Sequence, residues 1–159
     1  MQMVSILIGG DICPSGGNES SFQRGDAEEI FKNTIAELED ADISVCNFEA
    51  PMISQESPID KTGANFGVSP ACINGIVAGG IDAINLANNH ILDHGEKGVF
   101  DTISTCEKAG IGYFGAGKNL KEASNIWVKE VDGKRIAFLG VTEHEFSIAG
   151  ESSWGANSM

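Results

Sequence analysis

A polar turn between an apolar run and a helical pattern constrains the fold of this chain most strongly. Residues 83–87 form the apolar run, residues 88–95 form the turn, and the helical pattern covers residues 98–109. This order places side chains at the carboxyl end of a strand, where open α/β sheets hold their sites. The turn carries two amides, two imidazoles and a carboxylate, from Asn88, Asn89, His90, Asp93 and His94. Such a concentration of potential ligands predicts a functional site at this turn.

The charge balance limits the partners that the chain can bind. The chain has 159 residues, enough for one domain with a real core, and its formal net charge is −13, from 10 basic and 23 acidic residues. Nucleic acids and anionic membrane surfaces need a basic footprint on the protein, so neither is an expected partner. The acidic excess is compatible with cation binding, although much of it is expected to lie on a solvated surface.

The cysteines and the start of the chain suggest a reduced environment. Cys13, Cys46, Cys72 and Cys106 form no CxxC pair, so a structural zinc cluster is not expected. Cys46 and Cys106 have apolar neighbours and are predicted to be buried and reduced. No signal segment opens the chain and no run reaches membrane-spanning length. We expect a cytoplasmic protein, or a membrane-associated or extracellular one if a targeting segment has been removed.

Strand and helix patterns alternate along the chain, which predicts an α/β fold. A buried strand is predicted at residues 3–10 and a second strand at 41–48. Helices are predicted at 26–38, 70–78 and 98–109, loops at 14–25 and 53–62, and a β-hairpin at 125–141. The hairpin turns at Asp132-Gly133, a pair that suits a type I′ turn. We expect one domain over residues 1–159, a layered sandwich around a central mixed sheet, with an irregular tail at 150–159.

Four predicted strand ends carry polar residues. In chain order these are Asp11; Asn47 with Glu49; the 88–95 turn; and Glu143, His144 and Glu145. In an α/β sheet such ends can meet at one edge. A set of carboxylate, amide and imidazole ligands suits Mn, Mg, Fe or Zn better than a set of thiolates does. Two such ions can act together in phosphoryl transfer. His90 could serve as a general acid.

Structural roles compete with these functional ones. Asp11 could cap a turn, since aspartate often does so, and Glu49 could be an exposed loop acid. His94 is expected to be an exposed turn histidine. His144, between two acids, could be a substrate group or a bystander.

The ordered motifs resemble the CapA family of poly-γ-glutamate capsule biosynthesis proteins, which are similar in fold to the calcineurin-like metallophosphoesterases. The resemblance rests on four elements: Gly10-Asp11, Asn47-Phe48-Glu49-Ala50-Pro51, Asn88-Asn89-His90 with Asp93 and Gly95, and Gly140-Val141-Thr142 before an acid. It runs from the first strand to about Glu145.

The resemblance implies a role for several residues. Asp11 matches the first metal aspartate, Glu49 a bridging carboxylate, and Asn89 the metal-binding amide. His90 matches the neighbouring catalytic histidine, while Asp93 is expected to shape the turn rather than bind metal. The implied activity is that of a metal-dependent, phosphoesterase-like hydrolase acting on a polyanionic polymer or a phosphorylated small molecule.

The chain also departs from the family pattern. Cys13 stands where metallophosphoesterases usually have a histidine, glutamate replaces aspartate at position 49, and no Gly-His-x-His element follows the fourth strand. We therefore expect an N-terminal portion of a longer domain that holds half of a metal site, with little activity by itself. An exposed core edge would also allow two copies to associate.

Two other functions stay open. One is a non-catalytic binding or scaffold module of the same fold, suggested by Cys13 and the missing ligands. The other is an α/β enzyme that uses Glu49 and Asp11 as an acid/base pair on a glycan, which requires their carboxylates to lie about 5–9 Å apart.

Overall fold

The computed structural model describes residues 3–159 as an α/β fold. The strands are β1 (Ile6–Ile12), β2 (Ile43–Phe48), β3 (Ala83–Asn85), β4 (Gly112–Phe114), β5 (Ala116–Gly117), β6 (Trp127–Val131), β7 (Lys134–Phe138) and β8 (Gly155–Ala156). The α-helices are α1 (Glu19–Arg24), α2 (Ala27–Phe31), α3 (Ile35–Asp40), α4 (Ile73–Ala78), α5 (Gly95–Ala109) and α6 (Leu120–Ala123). Short 3₁₀ turns cover Gly16–Asn18, Lys32–Thr34 and Pro70–Cys72.

The central sheet has four strands in the order β1-β2-β3-β4, and all of its pairs are parallel. The predicted α/β class is confirmed, and the layered arrangement agrees with a metallophosphoesterase-like fold, although the sheet is parallel rather than mixed. Parallel strands point their carboxyl ends to the same edge, so β1, β2 and β3 deliver their last residues to one place.

Strand β1 lies at the edge of this sheet. The prediction of a buried first strand is wrong. Strand β1 pairs with β2 alone, and one of its faces is exposed to solvent, where Ile8 is 74% exposed. A β-bulge lies between Ile8 and Asp11, where β1 has one residue more than β2. The bulge brings Asp11 into register with Asn47.

Helices α1, α4 and α5 form a core against the sheet. Large apolar side chains from strands and helices fill this core, among them Phe48, Ile76, Ile84, Leu86 and Val99. Cys46 and Cys106 are buried and unpaired as predicted, and burial raises the pKa of each thiol to about 12. Helix α5 turns Val99, Thr102 and Cys106 inward and leaves Phe100 54% exposed.

Two predictions between β1 and β2 are wrong. The expected loop at 14–25 contains helix α1, whose Phe22 packs into the core. The expected helix at 26–38 is interrupted at Lys32, which has a φ of 48°. Asp26 does cap the first part, since its side chain accepts a hydrogen bond from Glu29 N. Tertiary packing against α4 therefore outweighs the local pattern here.

A hairpin covers the other face of the sheet. Strands β6 and β7 pair antiparallel, and Asp132 and Gly133 have φ values of 50° and 72°, as a type I′ turn requires. The hairpin is therefore confirmed, but it forms a separate two-stranded sheet whose apolar residues pack over Ile43, Val45 and Phe114. The end of strand β7 therefore does not join the ends of β1, β2 and β3 at the edge of the central sheet.

The tail at 150–159 contains the two-residue strand β8 and is otherwise irregular. Strand β8 pairs with β5, and Ala156 is fully buried. Asn157 N donates to Gly115 O at 2.8 Å, and Asn157 Nδ2 donates to Gly140 O at 2.8 Å. These bonds hold the end of the chain against the loops beside the sheet edge.

Candidate functional site

Three neighbouring strands bring polar side chains into register at the carboxyl edge of the sheet. Asp11 on β1 lies beside Asn47 on β2, and Asn47 lies beside Asn85 on β3. Sequence reasoning missed Asn85, which it treated as part of an apolar run. The signal available was its position next to a strand end, but its register with Asn47 follows only from strand pairing.

Asn47 holds two carboxylates with one amide nitrogen. Its Nδ2 donates to Asp11 Oδ1 at 2.8 Å and to Glu49 Oε2 at 2.5 Å. Its Oδ1 accepts from Asn85 Nδ2 at 3.0 Å and from Asn88 Nδ2 at 3.3 Å. A single side chain therefore joins the ends of all three strands to the polar turn.

Glu49 lies in an environment that disfavours its charge. Burial raises the pKa of the Glu49 carboxyl, and the negative charge of Asp11 raises it further. The hydrogen bond from Asn47 and the neighbouring His90 act in the opposite direction without cancelling the increase. Asp11 and Glu49 therefore form a site of concentrated negative charge. A positive charge placed between them would be stabilised there.

The polar turn is built on Asn88. Its buried side chain donates to Phe48 O at 2.9 Å and accepts from His90 N at 3.0 Å. Ser147 Oγ donates to Asn88 O at 3.2 Å, which joins the turn to the 142–148 segment. The amide therefore shapes the turn from within and sets where His90 leaves it.

His90 is paired with a fully buried carboxylate. Its Nδ1 lies 2.7 Å from Asp93 Oδ2, and Asp93 also accepts from Phe66 N at 2.7 Å and forms an ion pair with Lys61. Because a carboxylate only accepts, this bond assigns the His90 proton to Nδ1 and leaves Nε2 for other chemistry. Asp93 has the turn-shaping position expected of it, and the structure adds Lys61 as its partner.

A cavity of about 710 Å³ opens beside His90. The Phe66 ring stacks on the imidazole, with 4.1 Å between ring centroids, and Lys61 Nζ lies 4.9 Å from the centre of the Phe146 ring. Asn89, the predicted amide ligand, lines this cavity together with Glu145. Lys61 and Phe66 were not among the predicted site residues, because they lie in a loop far from the turn in sequence.

The fourth predicted cluster reaches the site only in part. Glu143 and His144 are exposed, in a bend that follows the hairpin, whereas Glu145 and Phe146 line the cavity. Hairpin β6–β7 lies on the face of the sheet, so the segment reaches the turn by a loop rather than by a strand end. The roles suggested for Glu143 and His144 stay predictions.

His94 is not the exposed turn residue that was expected. It is 6% exposed, and its Nδ1 accepts from Ser57 N at 2.9 Å. Burial lowers the pKa of the His94 imidazole. Gly67 lies against the His94 ring, and a Cβ added to Gly67 would lie 2.6 Å from His94 Nε2. The 53–68 segment therefore packs closely on the imidazole. His94 is therefore part of the packing behind the site.

The side chains at this edge suit a hard or borderline divalent cation in type. Asp11, Glu49 and Asn89 supply carboxylate and amide oxygens, which are the usual ligands of Mg²⁺ and Mn²⁺. Across residues 3–159, no three histidine, cysteine, aspartate or glutamate side chains are grouped as a cation site. What fits a cation is the pair of carboxylates, Asp11 and Glu49, that accept from the Asn47 amide. Asn89 lines the neighbouring cavity.

The fold and the site define the class of this protein: a layered α/β protein with a polar site at the carboxyl edge of a parallel sheet. The chain belongs to the bacterial capsule synthesis protein PGA_cap family, whose model matches residues 5–159. The suspected CapA resemblance is thus confirmed.

Known relatives match most of the chain. It is 30% identical over 145 residues to capsule biosynthesis protein CapA of Bacillus anthracis, covering 89% of this chain and 35% of that protein. It is 28% identical over 144 residues to PGA biosynthesis protein CapA of Bacillus subtilis, with 89% and 38% covered. A probable polyglutamine synthesis accessory protein of Mycobacterium tuberculosis is 30% identical over 132 residues, with 83% and 33% covered. The chain spans about a third of the length of these curated relatives.

Within the part of the chain that the structure describes, no helix combines the length and the apolar composition needed to cross a bilayer.

Proposed function

We propose that this chain takes part in the synthesis of a bacterial capsule or poly-glutamate polymer. Family membership and the names of the relatives, which refer to capsule, PGA and polyglutamine synthesis, support this role. The proposed substrate is a polyanionic polymer or a phosphorylated small molecule. The net charge of −13 would repel such a substrate unless a cation at the site offset the repulsion.

We further propose that the carboxyl edge of the sheet is a metal-dependent hydrolase site of the phosphoesterase type. Asp11, Glu49 and Asn89 would hold Mn, Fe, Zn or Mg, in one or two ions. A bound divalent ion supplies Lewis-acid charge and a hydroxide nucleophile near neutral pH. The observation that carries the proposal is the Asn47 amide, which donates to two carboxylates at the carboxyl ends of adjacent strands.

His90 is the proposed proton-transfer group. Asp93 holds its Nδ1 proton and Phe66 stacks on its ring, so the orientation of the imidazole is determined on two sides. Nε2 is then the atom that can give a proton to a leaving oxygen or take one from it. The cavity between His90, Phe66 and Phe146 would hold the part of the substrate next to the reacting group.

A calorimetric titration with MnCl₂ alone tests the site. We expect the wild type to bind Mn²⁺, and Asp11→Asn and Glu49→Gln to weaken binding by about tenfold or more, because each removes a charged ligand. His90→Ala should keep the affinity and lower by about 100-fold or more whatever hydrolysis of bis(p-nitrophenyl) phosphate the wild type shows. Glu39→Gln, an exposed acid on α3, is the matched control and should change neither value.

Two results of these measurements would contradict the proposal. Equal Mn²⁺ affinity in the wild type, Asp11→Asn and Glu49→Gln would exclude this site as the place of binding. A wild type that binds no divalent cation but retains a poly-γ-glutamate ligand would favour a scaffold or binding module instead.

A further inference from the structure

We infer that Asn47 is a positioning residue, which sets the distance and orientation of the Asp11 and Glu49 carboxylates for the proposed cation. The inference rests on the proposed function and concerns how that site is assembled. Asn47 reacts with nothing in this scheme; it acts through the two acids that it holds.

The orientation of the Asn47 amide is determined completely by its neighbours. Its two N–H groups point to two carboxylates, and its oxygen accepts from two other amides, those of Asn85 and Asn88. An amide has two donors and two acceptor positions, so every one of them is used. A flipped amide would turn its oxygen towards the carboxylates and its N–H groups towards other N–H groups, which costs all four bonds.

Each acid therefore has one oxygen committed and one oxygen left. Asn47 donates to Oδ1 of Asp11 and to Oε2 of Glu49, and it leaves Oδ2 and Oε1 without a hydrogen bond from this amide. A carboxylate held at one oxygen cannot rotate freely, so less conformational entropy is lost when the other oxygen binds a ligand. The amide also separates two negative charges that would otherwise repel each other directly.

The same side chain connects the acids to the His90 turn. Asn88 donates to Asn47 Oδ1 and to Phe48 O, and it accepts from His90 N. The path from Asp11 to His90 therefore runs through two amides and no flexible aliphatic chain. A change at Asn47 should alter the spacing between the carboxylates and the histidine as well as that between the two acids.

The backing of Asn47 leaves it little room to move. Asn85 donates to it, and a Cβ added to Gly115 would lie 2.8 Å from Asn85 Oδ1. Ala87 N also donates to Asn85 Oδ1 at 3.1 Å. Asn85 is therefore fixed by backbone on its far side, and it transmits that rigidity to Asn47.

The test compares Asn47→Leu with the wild type by calorimetric titration with MnCl₂. Leucine branches at Cγ as asparagine does but cannot form hydrogen bonds. We expect the affinity of the folded variant to fall by about 10- to 100-fold, as is usual when a group that orients metal ligands is lost. The matched control is Asn74→Leu, because Asn74 is exposed and its Nδ2 donates to Gln23 O, away from the proposed site. Its affinity should stay within about twofold of the wild type.

A purely structural role predicts a different result. In that case Asn47→Leu would lower the melting temperature, yet the folded fraction would bind Mn²⁺ as the wild type does, and this outcome would overturn the inference. If the leucine variant does not fold, Asn47→Ser replaces it: serine admits water, and an unchanged affinity there would also reject the positioning role. A wild type that binds no Mn²⁺ would defeat the metal proposal itself, so the two failures are distinguishable.

Discussion

Asp93 shows how one buried side chain can organise two segments that are distant in sequence. Its carboxylate is fully buried and is contacted by His90 from the turn and by Lys61 and Phe66 from the 59–66 loop. Its backbone oxygen also accepts from Ile59 N at 2.9 Å. A buried charge is tolerated only when it is paired and hydrogen-bonded, and here three donors meet that condition.

Replacing Lys61 by methionine should destabilise the protein. The substitution keeps most of the side-chain volume but leaves Asp93 without its ion pair, and breaking a buried pair on one side costs about 3 kcal/mol. Urea unfolding followed by circular dichroism gives the free energy of unfolding. Lys118→Met is the matched control: it breaks the exposed Lys118–Glu122 pair and should cost less than about 1 kcal/mol. Equal losses in the two variants would contradict the role assigned to Lys61.

Some residue roles could be predicted, and others could not. Asp11, Glu49 and His90 could be proposed as site residues because a polar residue close after an apolar run is visible in a single segment, and their functional roles stay predictions. Lys61 was not predicted, because its importance comes from Asp93, which lies 32 residues further along the chain. His94 was misassigned for the same reason, since Ser57 and Gly67 bury it from another segment.

At the scale of the elements, the site depends on glycines that let backbone approach strand β3. A Cβ at Gly140 would overlap Asn85 Oδ1 and lie 3.1 Å from Gly115 Cα. The segment after β7 therefore passes so close to the end of β3 that only glycine fits. This contact determines the position of hairpin β6–β7 relative to the edge of the central sheet, although the hairpin belongs to a different sheet.

Gly140→Ala should therefore affect both stability and the site. We expect a loss of about 1–3 kcal/mol in the free energy of unfolding, because the new methyl group must displace Asn85 or the chain itself. Displacing Asn85 removes a donor from Asn47, so Mn²⁺ affinity should fall as well. Gly17→Ala is the control, since no atom lies within 4 Å of an added Cβ there. Chemical denaturation and calorimetry measure the two effects, and a Gly140→Ala protein as stable as Gly17→Ala would refute this packing argument.

Local patterns identified the elements whose signals are local. The hairpin was predicted because Asp-Gly with φ values above zero is a property of two adjacent residues. The broken helix at 26–38 was not predicted, because its interruption at Lys32 has no proline or glycine to mark it. The role of β8 was also missed: its two residues acquire their structure only by pairing with β5.

At the scale of the whole molecule, charge is the dominant feature. Acidic residues outnumber basic ones by more than two to one, and the folded state holds them closer together than the unfolded chain does. Part of this excess is concentrated in Glu37, Glu39 and Asp40 of α3, and the charges of Glu39 and Asp40 in its last turn also oppose the helix dipole.

Added salt should therefore stabilise the protein. Raising NaCl from roughly 0.02 M to roughly 0.5 M shortens the Debye length from about 20 Å to a few ångströms and screens the repulsion. We expect the melting temperature to rise by roughly 2–4 °C, equivalent to about 1 kcal/mol in a domain of this size. Scanning calorimetry measures it. The triple variant Glu37→Gln, Glu39→Gln, Asp40→Asn should show a smaller rise, and a melting temperature that falls with salt would reject the argument.

The sequence by itself determined the α/β alternation, the hairpin turn, and the chemical groups that follow the strands. These follow from hydrophobic period and turn chemistry, which act over a few residues. Only the tertiary structure decided which groups meet. It brought Asn85 and Lys61 to the site, left Glu143 and His144 exposed beside it, and buried His94. Strand register and loop packing depend on contacts between distant segments, and a local pattern contains no information about those contacts.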